Sequence, residues 1–164
     1  MAAPNLPTLY DFETQIESVW VSVMSTAFSA QLPAASVQVI GTRDASIDQT
    51  PRLEVELHVG NVLRTRRGVL NGSYREIPIA FTGTLRFRLI STRPYASHGM
   101  LRGIVRSTVS ASANVITSSN LPYLQILEIL PSSSTPQIYD EKAQDITEMD
   151  YAIQFAIKNE AWPS

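Results

Sequence analysis

Two histidines, His58 and His98, and no cysteine limit the chemistry open to this chain of 164 residues. Without thiols there are no disulfides, thiolate metal sites or cysteine nucleophiles. His58 follows Glu54 and Glu56, a spacing that allows a carboxylate–imidazole pair, although a solvated position on a polar strand face is the simpler reading. His98 precedes an apolar periodic segment and reads as a loop residue at a helix start. Neither histidine has the spacing of a helical zinc site, and none of the 18 serines lies in a nucleophile elbow. The sequence also lacks a phosphate loop, a dinucleotide fingerprint and a calcium loop. Asp140, Glu141, Asp145, Glu148 and Asp150 would suit a hard cation by type, but they lack EF-hand spacing and read as a solvated loop. Glu54 and Glu56 share a strand face without the lysine two residues on that a metal-nuclease strand would need. Gly99 and Gly103 lie outside an apolar segment of about 20 residues, so they are not a membrane dimer motif. These patterns supply no catalytic residue, no metal ligand set and no cofactor site.

The one concentrated chemical feature is guanidinium. Eleven of the 13 basic residues are arginine. Arginine's planar fork grips carboxylates and phosphates bidentately and sheds water more readily than lysine's ammonium; a GC-rich genome would give the same bias without any role. Arg64, Arg66, Arg67 and Arg75, with Tyr74 among them, fall in one short stretch. Three readings are open for it: a grip on nucleic-acid phosphate, a contact with acidic surfaces of neighbouring subunits, or a solvated hairpin. A single interleaved aromatic is little for stacking single-stranded bases.

The elements that must position these residues follow from periodicity. Leu9, Phe12, Ile16, Val19, Trp20, Val23 and Ala27 recur at steps of three and four and predict an amphipathic helix that ends near Ser29. Thr8 and Asp11 resemble its capping box, and Pro33 follows its end. A short strand over Val37–Ile40 comes next. Leu53, Val55, Leu57 and Val59 alternate with Glu54, Glu56 and His58, and Ile77, Ile79, Phe81, Leu85, Phe87 and Leu89 alternate with Thr82, Thr84, Arg86 and Arg88. These are half-buried strands, and antiparallel pairing would set Glu54 and Glu56 against Arg86 and Arg88. Gly83 marks a bulge or a close approach. Between the strands, residues 60–77 carry Asn71-Gly72, a strong hairpin-turn signal, and read as a protruding arm.

Farther on, Ser97 caps a second helix with Met100, Leu101, Ile104, Val105 and Val109 on one face and Arg102 and Arg106 on the other. Residues 110–120 read as a loop, Leu121–Leu130 as a buried strand and Pro131–Gln144 as a Ser/Pro-rich loop. A final strand alternates through Met149, Tyr151, Ile153, Phe155 and Ile157. The sum is one α+β domain over residues 1–164: a mostly antiparallel sheet with two helices packed on one face and a protruding β-hairpin arm.

Length and composition agree with a single packed core: 44% of residues are apolar and 17% charged. The net charge of −2 excludes a uniformly basic nucleic-acid binder. No apolar run suits a membrane helix, and the first residues lack the basic and apolar regions of a secretory signal. Charge is nevertheless segregated. Residues 1–42 hold three acids and no base, residues 43–106 hold all 11 arginines against five acids, and residues 107–164 hold seven acids against two lysines. A basic middle between acidic ends suits head-to-tail self-association, unless folding interleaves the charges.

The layout also resembles a known family. An amphipathic helix over Leu9–Phe28 precedes a sheet with a long inserted hairpin at 60–77, then a second helix and two returning strands. The ending repeats the likeness: Leu121-Pro122-Tyr123 opening a strand, Tyr139-Asp140 in a loop, and Asp145 before Tyr151-x-Ile153-x-Phe155-x-Ile157. Ala161-Trp162-Pro163 closes it. Together these resemble the tail terminator, or tail-completion, proteins of long-tailed bacteriophages.

The resemblance implies a non-enzymatic structural protein of the virion, found in the host cytoplasm during assembly and at the neck end of the tail afterwards. Such proteins form a ring, typically a hexamer, on the head-proximal end of the tail tube, where they stop tube polymerisation and offer the head-joining surface. The implied partners are copies of itself, the tail tube protein and a head–tail connector or neck protein, with DNA passing through the lumen without sequence recognition. No membrane and no cofactor are implied. No residue-level contact motif carries over from the family. The residues expected at subunit or tube contacts are Arg64, Arg66, Arg67, Tyr74, Arg75, Arg86 and Arg88. The alternatives are a connector or neck protein of the same virion and a nucleic-acid-binding module using the arginine-rich middle.

Overall fold

Apolar steps of four turn α1 (Phe12–Gln31) into a helix with one buried stripe, Ile16, Trp20, Met24 and Phe28. The computed structural model describes residues 12–41, 49–70, 73–92, 97–112, 124–134, 138–139 and 144–157. The capping box at Thr8 and Asp11, the turn at Asn71-Gly72 and the ending at Trp162-Pro163 lie outside the described residues. The helix runs two residues past Ser29, to Gln31, because Pro33 rather than the serine stops it. Pro33–Ala35 form a 3₁₀ turn, closed by Ser36 in the left-handed region at φ 49°.

Among the described residues six strands follow: β1 (Gln38–Gly41), β2 (Arg52–Leu70), β3 (Ser73–Thr92), β4 (Leu124–Ser134), β5 (Ile138–Tyr139) and β6 (Gln144–Ile157), with α2 (His98–Ser112) between β3 and β4. The sheet order is β1-β2-β3-β6-β4, with β5 pairing β6. Among the described residues β1 and β2 run parallel, and the other strand pairs are antiparallel. This is the α+β architecture expected from the sequence.

Strand alternation decides which face is covered. Leu53, Val55 and Leu57 of β2, Leu85, Phe87 and Leu89 of β3, and Met149, Tyr151, Ile153 and Phe155 of β6 are buried and join the helix stripe in one cluster. From α2 come Leu101, Ile104, Val105 and Val109. Phe87 stands at its centre, edge-on to Trp20 with ring centroids 5.7 Å apart and edge-on to Tyr151 at 5.8 Å. Each such pair contributes about 0.5–1.5 kcal/mol beyond burial.

Four expectations need correction. The apolar run over Leu121–Leu130 predicts a buried strand, yet β4 is an edge strand, with Glu128 exposed and Leu130 51% exposed. It also continues through Pro131 to Ser134, where a loop was expected; proline is tolerated because an edge strand has one side free of ladder bonds. Met100, assigned to the apolar face of α2, is 58% exposed, and His98 takes a core position instead. Asp145, Glu148 and Asp150 are not in a solvated loop. They belong to β6, which begins at Gln144.

Candidate functional site

The hairpin arm grows out of β2 and β3 past the end of the sheet. Among the described residues β6 pairs with β3 over Thr92–Ala80. Among the described residues, Arg66–Leu70 and Ser73–Pro78 pair only with each other and Thr65. Seven residues of β3 beyond Ala80 reach about 24 Å. At the arm's base the register slips between Val59 and Val62, between Val62 and Arg64, and between Arg64 and Thr65. Such bulges bend and twist a ribbon. Thr82 fastens the first one. Its hydroxyl accepts from the Asn61 amide at 2.9 Å and donates to the Asn61 carbonyl at 3.3 Å. Gly83 is the close approach that its residue type suggested: a Cβ there would lie 2.8 Å from the His58 carbonyl oxygen.

The arm presents Val62 and Leu63, each about half exposed, and the exposed guanidinium residues Arg64 and Arg67. Arg66 stands opposite Ile77 in the ladder, Arg67 opposite Glu76, Arg75 opposite Gly68 and Tyr74 opposite Val69. Over residues 60–77, four arginines against one glutamate leave a net +3.

Arg86 and Arg88 are elsewhere. They sit on the sheet face away from the helices, opposite Glu56 and Glu54 as alternation predicts. The closer partners come from β6. Arg86 donates to both carboxylate oxygens of Asp150, Nε to Oδ1 at 2.8 Å and Nη2 to Oδ2 at 3.0 Å. Arg88 donates to Glu148 Oε1 from Nε at 2.9 Å and lies 2.7 Å from it through Nη2. Glu54 lies 3.7 Å from Arg88 Nη1 and also accepts from Arg52 Nε at 3.3 Å. The result is a half-buried ion ladder across β2, β3 and β6. The Asp150 hydrogen bonds, reinforced by the neighbouring carboxylates, push the Arg86 pKa further up from its already high ordinary value. Arg86 and Arg88 are thus compensated inside the chain, and the arm's arginines stand farther along the ribbon, from Arg64 opposite Ala80 to Arg75 on β3 itself. The seven candidate residues form two sites, five on the arm and two in the ladder.

His58 is a strand residue with its side chain 55% exposed and Nε2 3.0 Å from Glu56 Oε1. His98 differs from the loop residue expected. It opens α2 and is buried, with Nδ1 2.6 Å from Ser91 Oγ of β3 and Nε2 2.9 Å from Thr147 Oγ1 of β6. Burial, the largest influence, lowers its pKa; Arg102 lowers it too, and Asp145 opposes both. A neutral ring has one N–H and one lone pair, so one hydroxyl accepts while the other donates. Ser91 is fully buried and Thr147 nearly so. The trio therefore ties α2, β3 and β6 together.

Glu17 is a second polar group that sequence reasoning missed. It is 2% exposed, and its Oε1 accepts from the Leu57 amide at 2.9 Å. The described pairing of β1 with β2 ends at Val55, so α1 satisfies the next inward-facing amide of β2. The signal was present: Glu17 lies between Ile16 and Trp20 on the apolar side of the helix.

A groove of about 510 Å³ between α1 and α2 is lined by small residues, Ser22, Thr26 and Ala30 facing Ser107 and Ala111. Among the described residues, no three His, Asp or Glu side chains group to hold a metal ion. No described helix is long and apolar enough to cross a membrane.

No family model matches the chain, and no curated protein does. Among solved structures, one whose name states no activity resembles it at 8% identity with a TM-score of 0.40, over 87% of this chain and 97% of its own. A likeness of that degree carries no argument about function.

Proposed function

We propose that this protein is a structural subunit of a phage virion that assembles with copies of itself into a ring, typically a hexamer, at the head-proximal end of a tail tube. The ring ends tube polymerisation, presents the surface for head joining and lets DNA pass through its lumen without reading its sequence. The reading is non-enzymatic. Its partners are the tube protein below and a connector or neck protein above, and its location is the neck end of the tail.

One observation carries it: among the described residues a two-stranded arm continues about 24 Å past the last pairing of β3 with β6, with Arg67 exposed on it and Val62, Leu63 and Arg64 exposed at its base. An isolated two-stranded ribbon is marginal in water, and an apolar, arginine-bearing surface gains most when a partner covers it. Head-to-tail contacts between such an arm and a different surface generate rings when the rotation closes.

Mass photometry of the purified protein, alone and with tail tube protein, tests the proposal. Ring-sized particles in either sample support it. Monomers in both refute it. Electron microscopy of particles lacking the protein separates the roles, since tails of uncontrolled length mark a terminator and normal unattached tails mark a connector. Duplex binding that falls steeply with salt would favour the nucleic-acid reading instead.

A further inference from the structure

The arm is basic and the open face of the sheet is acidic. Glu54, Glu56, Glu148 and Asp150 lie on that face with Arg52, Arg86 and Arg88, and Glu128 joins them because it stands opposite Gln154 of β6. Five carboxylates against three guanidiniums leave a net −2, with His58 neutral. The ladder engages the arginines, which leaves Glu128 exposed and without an ion-pair partner among the described side chains. Two residues along the same strand face stands Leu130, 51% exposed and opposite the exposed Ala152. Arg64 and Arg67 likewise have no ion-pair partner among the described side chains, and Val62 and Leu63 are half exposed beside them.

We infer that the arm of one copy docks on the β4 side of the open sheet face of a second copy, with Arg64 and Arg67 meeting Glu128 and Val62 and Leu63 covering Leu130. The inference rests on the ring reading and names the contact that builds the ring. Both surfaces match in kind: each sets exposed apolar groups beside charge of one sign that no described side chain pairs. The contact is between copies. The arm leaves the sheet at β2 and β3 and projects past its end, whereas β4 is the far edge, three strand spacings or about 14 Å across from β2. Because arm and face are different surfaces, the contact is heterologous and leaves each copy with one free arm and one free face until the ring closes.

Charge-swap mixing tests this. Arg64→Glu/Arg67→Glu makes the arm acidic, and Glu128→Arg/Leu130→Arg makes the face basic; all four side chains are exposed. Native mass spectrometry reads oligomers of each variant alone and of a mixture with one partner isotopically labelled. Each variant alone should associate at least about tenfold more weakly than the unaltered chain. The mixture should recover even-numbered oligomers in which the two variants alternate. Association of the unaltered chain should weaken with rising salt.

An unaltered chain that assembles while both variants assemble equally well overturns this contact and leaves the ring reading standing. Failure of the mixture to recover alternating oligomers also overturns the contact. Monomers from the unaltered chain, alone and with tube protein, overturn both. If circular dichroism shows either double variant unfolded, Arg67→Gln and Glu128→Gln replace them; each should weaken association in the same direction, and no weakening refutes the contact.

Discussion

His98 gives the sharpest test of how the fold is held, because its chemistry has a sign. The imidazole is buried, and both nitrogens meet hydroxyls of other elements, Ser91 Oγ at 2.6 Å and Thr147 Oγ1 at 2.9 Å. Its pKa lies below the ordinary 6.5, chiefly because burial penalises the charged ring, with Arg102 adding to the effect and Asp145 opposing it. Well above pH 6.5 the ring is neutral in the folded and unfolded chains alike and contributes no slope. Below about 6.5 the unfolded chain takes up a proton that the folded chain refuses, so stability falls with falling pH. The limb levels off once the folded ring also protonates. One group contributes at most about 1.4 kcal/mol per pH unit within that window.

The comparison is His98→Gln, which keeps a donor and an acceptor but does not titrate. At pH 7.5 it should lose about 1–3 kcal/mol, because a longer amide cannot meet both hydroxyls with the geometry of a planar ring. Both chains carry His58→Gln, so that no other histidine contributes. Urea unfolding followed by tryptophan fluorescence between pH 5 and 8 gives the two profiles. The chain with His98 should lose stability below pH 6.5 more steeply than the glutamine variant. Parallel profiles would refute the argument, and a His98 chain that gained stability on acidification would show that the ring is held as a cation.

Two further outcomes concern the sheet. Asp150→Ala leaves the Arg86 fork without its bidentate partner and should destabilise by about 1–2 kcal/mol, between exposed and buried ion-pair values. In a double-mutant cycle with Arg86→Ala the coupling should be about 1 kcal/mol by urea unfolding, and a coupling of zero would make the ladder decorative. Gly83→Ala drives a Cβ to 2.8 Å from the His58 carbonyl oxygen, a backbone atom that cannot swing aside. It should cost about 1–3 kcal/mol by thermal unfolding, and an unchanged Tm would mean the strands separate freely at that point.

Alternation carried most of the fold. Leu53-x-Val55-x-Leu57 and Leu85-x-Phe87-x-Leu89 have one solution as a sheet with one covered face, and their polar partners then had to share the other. The alternation that set Glu54 and Glu56 opposite Arg86 and Arg88 could not rank the acids, because the strand on the other side of β3 was not in the pattern. β6 brings Asp150 within 2.8 Å of Arg86, and that closeness outweighs the Glu54–Arg88 approach of 3.7 Å. β4 failed for a related reason. An apolar run predicts burial only if both faces are covered, and an edge position leaves Leu130 in water. His98 was illegible as polar core because its partners, Ser91 and Thr147, are set by tertiary placement; for Glu17 the position on the apolar side of the helix was legible, but its partner, the Leu57 amide, was not.

The same comparison separates the two groups of arginine by what they hold. In the ladder, each guanidinium has a carboxylate on the next strand, so removing it exposes a deficit inside the chain and shows as lost stability. On the arm, Arg64 stands opposite Ala80 at the base and Arg67 opposite Glu76 beyond it, where among the described residues β3 no longer pairs with β6, so reversing them leaves the core contacts intact. A substitution series across all seven candidate residues should therefore split: stability responds at Arg86 and Arg88, and association responds at the arm. That division follows from where β6 stops pairing, and it lets stability measurements and assembly measurements be assigned to different residues of one strand pair.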